Sequence, residues 1–208
     1  MYEIDAILYI NLEYRKDRDV HIRNELRKLN PDESKIHRID AIQAKSGELG
    51  CSKSHIKALE LALAHPEWET VLVVEDDFTF KSDNPVEIQA NINVFLKDCG
   101  ADMVVGLLSH HHTHIKYSDT SSPIVKRVYY SQTASSYIVK KPYISILLRN
   151  FIESMTDMEH RGVLHENSLD IHWTQLMKND LWYCIYPSIG YQCEGFSDIQ
   201  KAHVNYHC

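Results

Sequence analysis

The 208-residue chain is 44% hydrophobic and 25% charged, which predicts one folded domain over residues 1–208 and excludes wholesale disorder. Its 22 basic and 29 acidic residues give a formal net charge of −7, which argues against a broad nucleic-acid-binding surface. The five cysteines are scattered and have no CxxC spacing, and the N-terminus does not resemble a leader. The sequence also has no stretch of the roughly 20 apolar residues that span a bilayer. We therefore expect a cytoplasmic protein without a membrane span.

The first half of the chain alternates between apolar runs and amphipathic segments. The apolar runs predict buried strands at 6–10, 37–42, 70–74 and 102–108. Helical spacing of apolar residues predicts helices around 22–29, from 52 to the residue before Pro66, and around 88–95. This order predicts an α/β fold whose mostly parallel sheet has helices on both faces, with ligands beyond the carboxyl ends of the strands.

The remaining segments are less regular. Gly47 and Gly50 predict a loop over 43–50, and polar residues predict another over 110–122. Further patterns predict strands at 124–130, 136–139 and 182–186, helices at 142–155 and 171–178, and a mostly irregular end from 187 to 208.

Three adjacent acids, Glu75, Asp76 and Asp77, directly follow the clearest buried strand. Adjacent carboxylates repel each other, so the arrangement is costly without a cation, and their hard oxygen ligands suit Mg²⁺ or Mn²⁺. Such a metal commonly neutralises a departing diphosphate. Solvated loop acids or a helix cap are the alternative, and metal-dependent phosphatases or nucleases share the pattern.

Four segments, in this order and spacing, resemble glycosyltransferase family 25, which includes bacterial lipooligosaccharide and collagen hydroxylysine galactosyltransferases. They are YINLEYRKDR (9–18), GELGCSKSH (47–55), VVEDD (73–77) and ASSYIV (134–139). The resemblance extends from Tyr9 to about Ile199. It implies a GT-A-type nucleotide-sugar-binding fold, a UDP-sugar donor that is usually UDP-galactose, a divalent metal that is usually Mn²⁺, and inversion at the anomeric carbon.

The resemblance implies roles for the acids at the strand end. Asp77 is the expected metal ligand, and Glu75 contacts the ribose or the metal through water. Asp76 is a spacer or orients the sugar. His203, near the end of the chain, is a further candidate ligand, with a surface histidine as the alternative.

Other residues are candidates for holding the donor. Asn11, Arg15 and Arg18 follow the first strand, where arginine forks suit phosphates and uracil carbonyls, although pairing with Asp17 or Asp19 is an equal alternative. The remaining candidates are Asp40 for the ribose, Gly50, Ser54 and His55 in the glycine-containing segment, and Gln192 and Ser197 in a closing lid. For Asp40 the alternative is a turn residue, and for Ser54 and His55 a cap or a structural hydrogen bond.

Inversion needs a base that takes the proton from the acceptor hydroxyl. The resemblance favours Asp170, which precedes an aromatic residue, with Glu166 as its rival and helix-start stabilisation as the alternative. The four histidines within 110–114 predict a solvated or acceptor-facing loop, or opportunistic metal binding.

The resulting prediction is an inverting, Mn²⁺-dependent enzyme that moves galactose from a UDP-sugar to a hydroxyl on a surface glycan or a hydroxylysine-type protein. A non-catalytic nucleotide-sugar-binding or adhesion-type module on the same fold is the first alternative. An unrelated metal-dependent phosphohydrolase is the second.

Overall fold

The structure is a computed structural model that describes the backbone of residues 3–197 and 202–204 and the side chains of residues 3–194. Its strands are β1 (Ala6–Asn11), β2 (Ile36–Asp40), β3 (Thr70–Glu75), β4 (Phe78–Phe80), β5 (Val105–Leu107), β6 (Ile115–Asp119), β7 (Val125–Ser131), β8 (Ser136–Lys140), β9 (Trp182–Ile185), β10 (Gly190–Gln192), β11 (Gly195–Ser197) and β12 (Ala202–Val204). Its helices are α1 (Lys16–Arg27), α2 (Gly47–Ala64), α3 (Pro85–Cys99), α4 (Lys141–Arg161), α5 (Leu169–His172) and α6 (Thr174–Met177).

Eight strands form the central sheet, in the order β2-β1-β3-β8-β5-β9-β7-β6. Strands β7 and β8 run opposite to the other six, so the sheet is mostly parallel in direction. Strand β8 lies between β3 and β5 and is antiparallel to both. The prediction of an α/β fold with a mostly parallel sheet and flanking helices is therefore confirmed.

The side chains of the central strands alternate between two apolar clusters, one on each face of the sheet. One cluster contains Leu8, Val73, Leu59 of α2 and Phe151 of α4. The other contains Tyr9, Leu72, Ile22 of α1 and Phe95 of α3. Burial on both faces explains why β1 and β3 read as continuous apolar runs in the sequence.

The loop predicted over 43–50 is wrong in its second half, because α2 begins at Gly47. Ser46 caps this helix, and its Oγ accepts a hydrogen bond from the Leu49 amide at 3.3 Å. Gly50 is needed for close packing instead of a turn, since a Cβ there would lie 2.5 Å from the Ile42 carbonyl oxygen. Gly50 thus allows the preceding segment to lie directly against the helix.

The second half of the chain differs more from prediction. Strand β6 lies inside the predicted 110–122 loop, and its polar sequence gives no apolar signal because it forms the edge of the sheet. The predicted 171–178 helix is divided into α5 and α6, whereas α4 continues to Arg161. The predicted irregular end contains β10, which pairs with β4.

Among the described residues, no helix combines the length and the apolar character that crossing a bilayer requires.

Candidate functional site

The candidate site lies where β1, β2 and β3 end. These strands are parallel neighbours, so their carboxyl ends meet at one edge of the sheet. Glu75 ends β3, and Asp76 and Asp77 form the turn into β4. They face a cleft of about 630 Å³. Its wall also includes Leu12, Tyr14, Arg18, residues 41–47, Gly50, Cys51, Ser54, His55 and Gln192.

Asp76 is buried and is held by two side chains. Its Oδ2 accepts a hydrogen bond from Asn11 Nδ2 at 2.8 Å, and its Oδ1 accepts one from Arg18 Nη1 at 3.0 Å. The same Arg18 nitrogen lies 3.2 Å from Asp77 Oδ2. Burial raises the pKa of Asp76 despite the charge of Arg18. Arg18 thus contacts two of the three acids and offsets part of their mutual repulsion.

Glu75 is held from both sides. Its Oε1 accepts hydrogen bonds from His55 Nε2 at 3.1 Å and from Cys51 Sγ at 3.4 Å, and its Oε2 accepts one from Gln192 Nε2 at 3.2 Å. Burial by itself would raise the pKa of Glu75, but the hydrogen bond from His55 and its charge bring the pKa below the ordinary value. The contacts with His55 therefore favour the ionised form of Glu75.

Asp77 is buried beside Glu75 and accepts a 3.4 Å hydrogen bond from Gln192 Nε2. Burial and then the negative charge of Glu75 raise the pKa of Asp77 to about 7. A nearby cation reverses such a shift because it favours the ionised form. Asp77 and Glu75 offer the carboxylate oxygens that Mg²⁺ and Mn²⁺ prefer, so this pair fits a hard divalent cation.

Asp170 occupies the second position of α5, and its Oδ2 accepts a hydrogen bond from the Thr133 amide at 2.9 Å. Burial raises the pKa of Asp170, against that hydrogen bond, and the charge of Glu75 raises it further. Thr133 has a φ of 82°, a left-handed conformation that β-branched residues rarely adopt. Glu166, the rival acid, is exposed.

Two of the predicted donor-binding residues pair with neighbours. Arg15 forms an ion pair of 2.9 Å with exposed Asp17, which is the alternative that the sequence left open. Asp40 is exposed at the end of β2 and pairs with Arg38. Arg38 Nε also donates to Asn11 Oδ1 at 3.2 Å. Of the three residues predicted after the first strand, Asn11 and Arg18 contact the acids.

Ser54 makes two structural hydrogen bonds. Its Oγ donates to the Gly50 carbonyl at 2.7 Å and accepts from the Ile42 amide at 2.8 Å. Together with the close approach at Gly50, these bonds hold residues 41–46 against α2, where they form one wall of the cleft. The predicted roles of Ser197 and His203 concern side chains outside the described part of the chain.

Cys51 and Tyr137 contact the site although neither was singled out from the sequence. Both lie inside the segments that carry the family resemblance, and this position is the signal that could have found them. The Tyr137 hydroxyl lies 3.1 Å from His55 Nδ1, and burial raises the pKa of Tyr137 well above its ordinary value. The phenol therefore stays protonated, and it fixes the ring of a fully buried histidine.

The histidines of residues 110–114 have surroundings that differ from those of the acids. His110 is buried, with its Nε2 3.3 Å from the Ile185 carbonyl oxygen, whereas His112 and His114 are exposed. Trp173 is a core residue, and its Nε1 donates to the Ser131 carbonyl at 3.0 Å.

No known protein family matches the chain, and no curated protein matches it. Among solved structures, a glycosyltransferase involved in the glycosylation of the major capsid of PBCV-1 aligns over 94% of this chain and 96% of its own, with 8% identity and a TM-score of 0.53. A197 from STIV aligns over 97% and 93%, with 12% identity and a TM-score of 0.48. The glycosyltransferase GlyE of Streptococcus pneumoniae TIGR4 aligns over 88% and 45%, with 11% identity and a TM-score of 0.46. At this identity the likeness to the PBCV-1 enzyme establishes a shared fold, which is GT-A-like.

Proposed function

We propose that the chain is an inverting glycosyltransferase of the family 25 type, which transfers galactose from UDP-galactose to a hydroxyl acceptor. The observation that carries this proposal is the position of Glu75, Asp76 and Asp77. They end a central strand of a GT-A-like sheet and face a cleft of about 630 Å³. Ligands of open α/β sheets bind at this edge, and the cleft volume is in the range of small-molecule sites.

Asp77 and Glu75 would hold a divalent cation, Mn²⁺ or Mg²⁺. When bound, the cation neutralises the charge that develops on the departing diphosphate. Gln192 supports this arrangement because its amide donates to both carboxylates. Arg18 is the nearby cationic side chain that already contacts Asp76 and Asp77, and it balances their charge in the absence of metal.

The wall formed by residues 41–47 is evidence for the proposal that the donor is a nucleotide sugar. The 18-residue helix α2 begins at this wall, and Ser46 and Gly47 line the cleft. Amide groups in the first turn of a helix lack partners within the helix and favour anions such as a diphosphate. Ser46 Oγ already accepts from one of them, the Leu49 amide, and Tyr14 lines the same cleft with an aromatic ring suited to a nucleobase.

Asp170 is our candidate for the base that takes the acceptor proton. Its raised pKa suits a group that must accept a proton during the reaction. The negative charge of Glu75 contributes to this raised pKa. The Thr133 amide fixes one carboxylate oxygen. A surface glycan or a hydroxylysine-type protein would supply the hydroxyl.

A screen of UDP release tests the proposal. Purified protein is incubated with Mn²⁺ and each of several UDP-sugars, with and without glycan or hydroxylysine acceptors, and UDP and phosphate are measured separately. We expect acceptor-dependent UDP release that is highest with UDP-galactose. UDP binding without turnover would favour the non-catalytic module, and phosphate release without sugar transfer would favour the phosphohydrolase.

A further inference from the structure

The only group of three or more metal-ligating side chains that the described residues bring together is not the acid trio. Cys51 Sγ, His55 Nε2 and Glu75 Oε1 all lie within 4.8 Å of one another. Cys51 and His55 are one turn apart on α2, and Glu75 approaches them from the end of β3. We propose that these three atoms form a zinc site, which shares Glu75 with the hard-cation position proposed at Asp77.

The distances between the three atoms suit tetrahedral zinc. With Zn–S near 2.3 Å and Zn–N and Zn–O near 2.0–2.2 Å, tetrahedral ligands lie about 3.4 Å apart for a nitrogen–oxygen pair and about 3.6 Å apart for a sulfur–oxygen pair. The corresponding separations here are 3.1 Å from His55 to Glu75 and 3.4 Å from Cys51 to Glu75. These two pairs need to lengthen by only a few tenths of an ångström, and the third pair, Cys51 Sγ and His55 Nε2, lies within 4.8 Å and would settle near about 3.6 Å around the ion.

The ligand chemistry selects the metal. Sulfur and imidazole ligands favour Zn²⁺ over Mg²⁺ and Mn²⁺, which prefer oxygen. A thiolate and a carboxylate also balance the two positive charges of the ion. All three side chains line the cleft, which gives the ion a path of entry and leaves a fourth position for water.

The surroundings of His55 fit the support that metal-bound histidines usually have. Its Nδ1 lies 3.1 Å from the Tyr137 hydroxyl, and the ring is fully buried against Tyr137 and Phe151. With zinc on Nε2, the imidazole proton lies on Nδ1, where the Tyr137 oxygen accepts it. Binding releases the thiol proton of Cys51 to solvent, so the step is balanced without any oxidant or reductant.

Zinc binding to the reduced full-length protein tests the site without any activity assay. Metal-free protein is dialysed against Zn²⁺, and bound zinc is measured for the parent, Cys51→Ser and His55→Gln. Cys193→Ser is the matched control, since it removes another half-buried thiol of the same chain. The variant His111→Ala/His112→Ala accounts for adventitious binding by the exposed histidine loop. We expect one tightly bound zinc in the parent and in both controls, and its loss in Cys51→Ser and His55→Gln.

Co²⁺ provides a second measurement that does not depend on how well a variant folds. We expect the Co²⁺-loaded parent to show a thiolate-to-cobalt charge-transfer band. Zn²⁺ should displace Co²⁺ and abolish this band, whereas excess Mg²⁺ should leave it unchanged. A Co²⁺ spectrum without this band would overturn the proposal. Equal zinc binding by Cys51→Ser and the parent would also overturn it, as would loss of the zinc only in the histidine-loop variant. Because none of these measurements involves UDP or sugar, their failure leaves the proposed transferase function intact.

Discussion

Asp77→Asn should make the metal-free protein more stable at alkaline pH while abolishing sugar transfer. The pKa of Asp77 is about 7 in the folded protein against an ordinary value of 3.8. An acid whose folded pKa is raised costs no stability below its unfolded pKa. The cost grows as the pH rises from about 4 and is complete above pH 7. At about 1.4 kcal/mol for each pH unit between the two values, the ionised carboxylate costs about 4 kcal/mol.

Asparagine cannot ionise, and it keeps an oxygen that can accept from Gln192. The variant should therefore gain up to about 4 kcal/mol over the parent at pH 8 in EDTA, and much less at pH 4. Urea unfolding of both proteins across this pH range measures the difference. Asp83→Asn is the control: Asp83 is exposed and its hydrogen bond with Lys28 lowers its pKa, so no gain with rising pH is expected. A variant no more stable than the parent at pH 8, or a gain that does not grow with pH, would refute the electrostatic account.

UDP should raise the melting temperature only when Mn²⁺ is present, because a ligand of the folded state stabilises it by mass action; equal stabilisation by GDP or ADP would contradict a uridine site. Asp170→Asn should slow transfer by about 10²- to 10⁴-fold with little change in UDP affinity, and Glu166→Gln should be nearly silent. Loss of UDP binding in Asp170→Asn would instead assign that residue a structural role. Gly50→Ala should destabilise the fold by about 1–3 kcal/mol and weaken UDP binding, since its Cβ would meet the Ile42 carbonyl oxygen at 2.5 Å; an unchanged melting temperature would exclude that contact.

The parts of the fold that the sequence predicts well are those with a local signal. Strands β1 and β3 are continuous apolar runs because both of their faces are buried, and the acids that follow β3 mark its end. The antiparallel insertion of β8 between β3 and β5 has no such signal. It depends on where the chain returns after β7, and periodicity contains no information about that path.

The same limit applies within the site. Arg15 and Arg18 look alike in the sequence, yet Arg18 reaches the acids and Arg15 pairs with Asp17. Arg15 directly precedes α1 and Arg18 lies in its first turn, and only the packing of that helix shows which of the two arginines reaches the acids. Cys51 and Tyr137 belong to the site through contacts with residues 24 and 82 positions away, which no local pattern reveals.

The left-handed backbone at Thr133 has a consequence for directed evolution. A β-branched residue in this conformation costs about 1–3 kcal/mol, and glycine there would remove most of that cost. Thr133→Gly would also loosen the amide that orients Asp170. A library selected for heat resistance alone should therefore accumulate glycine at 133 and asparagine at 77. The same library selected for sugar transfer should reject both substitutions. Selection for stability and selection for activity would therefore favour different residues at these two positions.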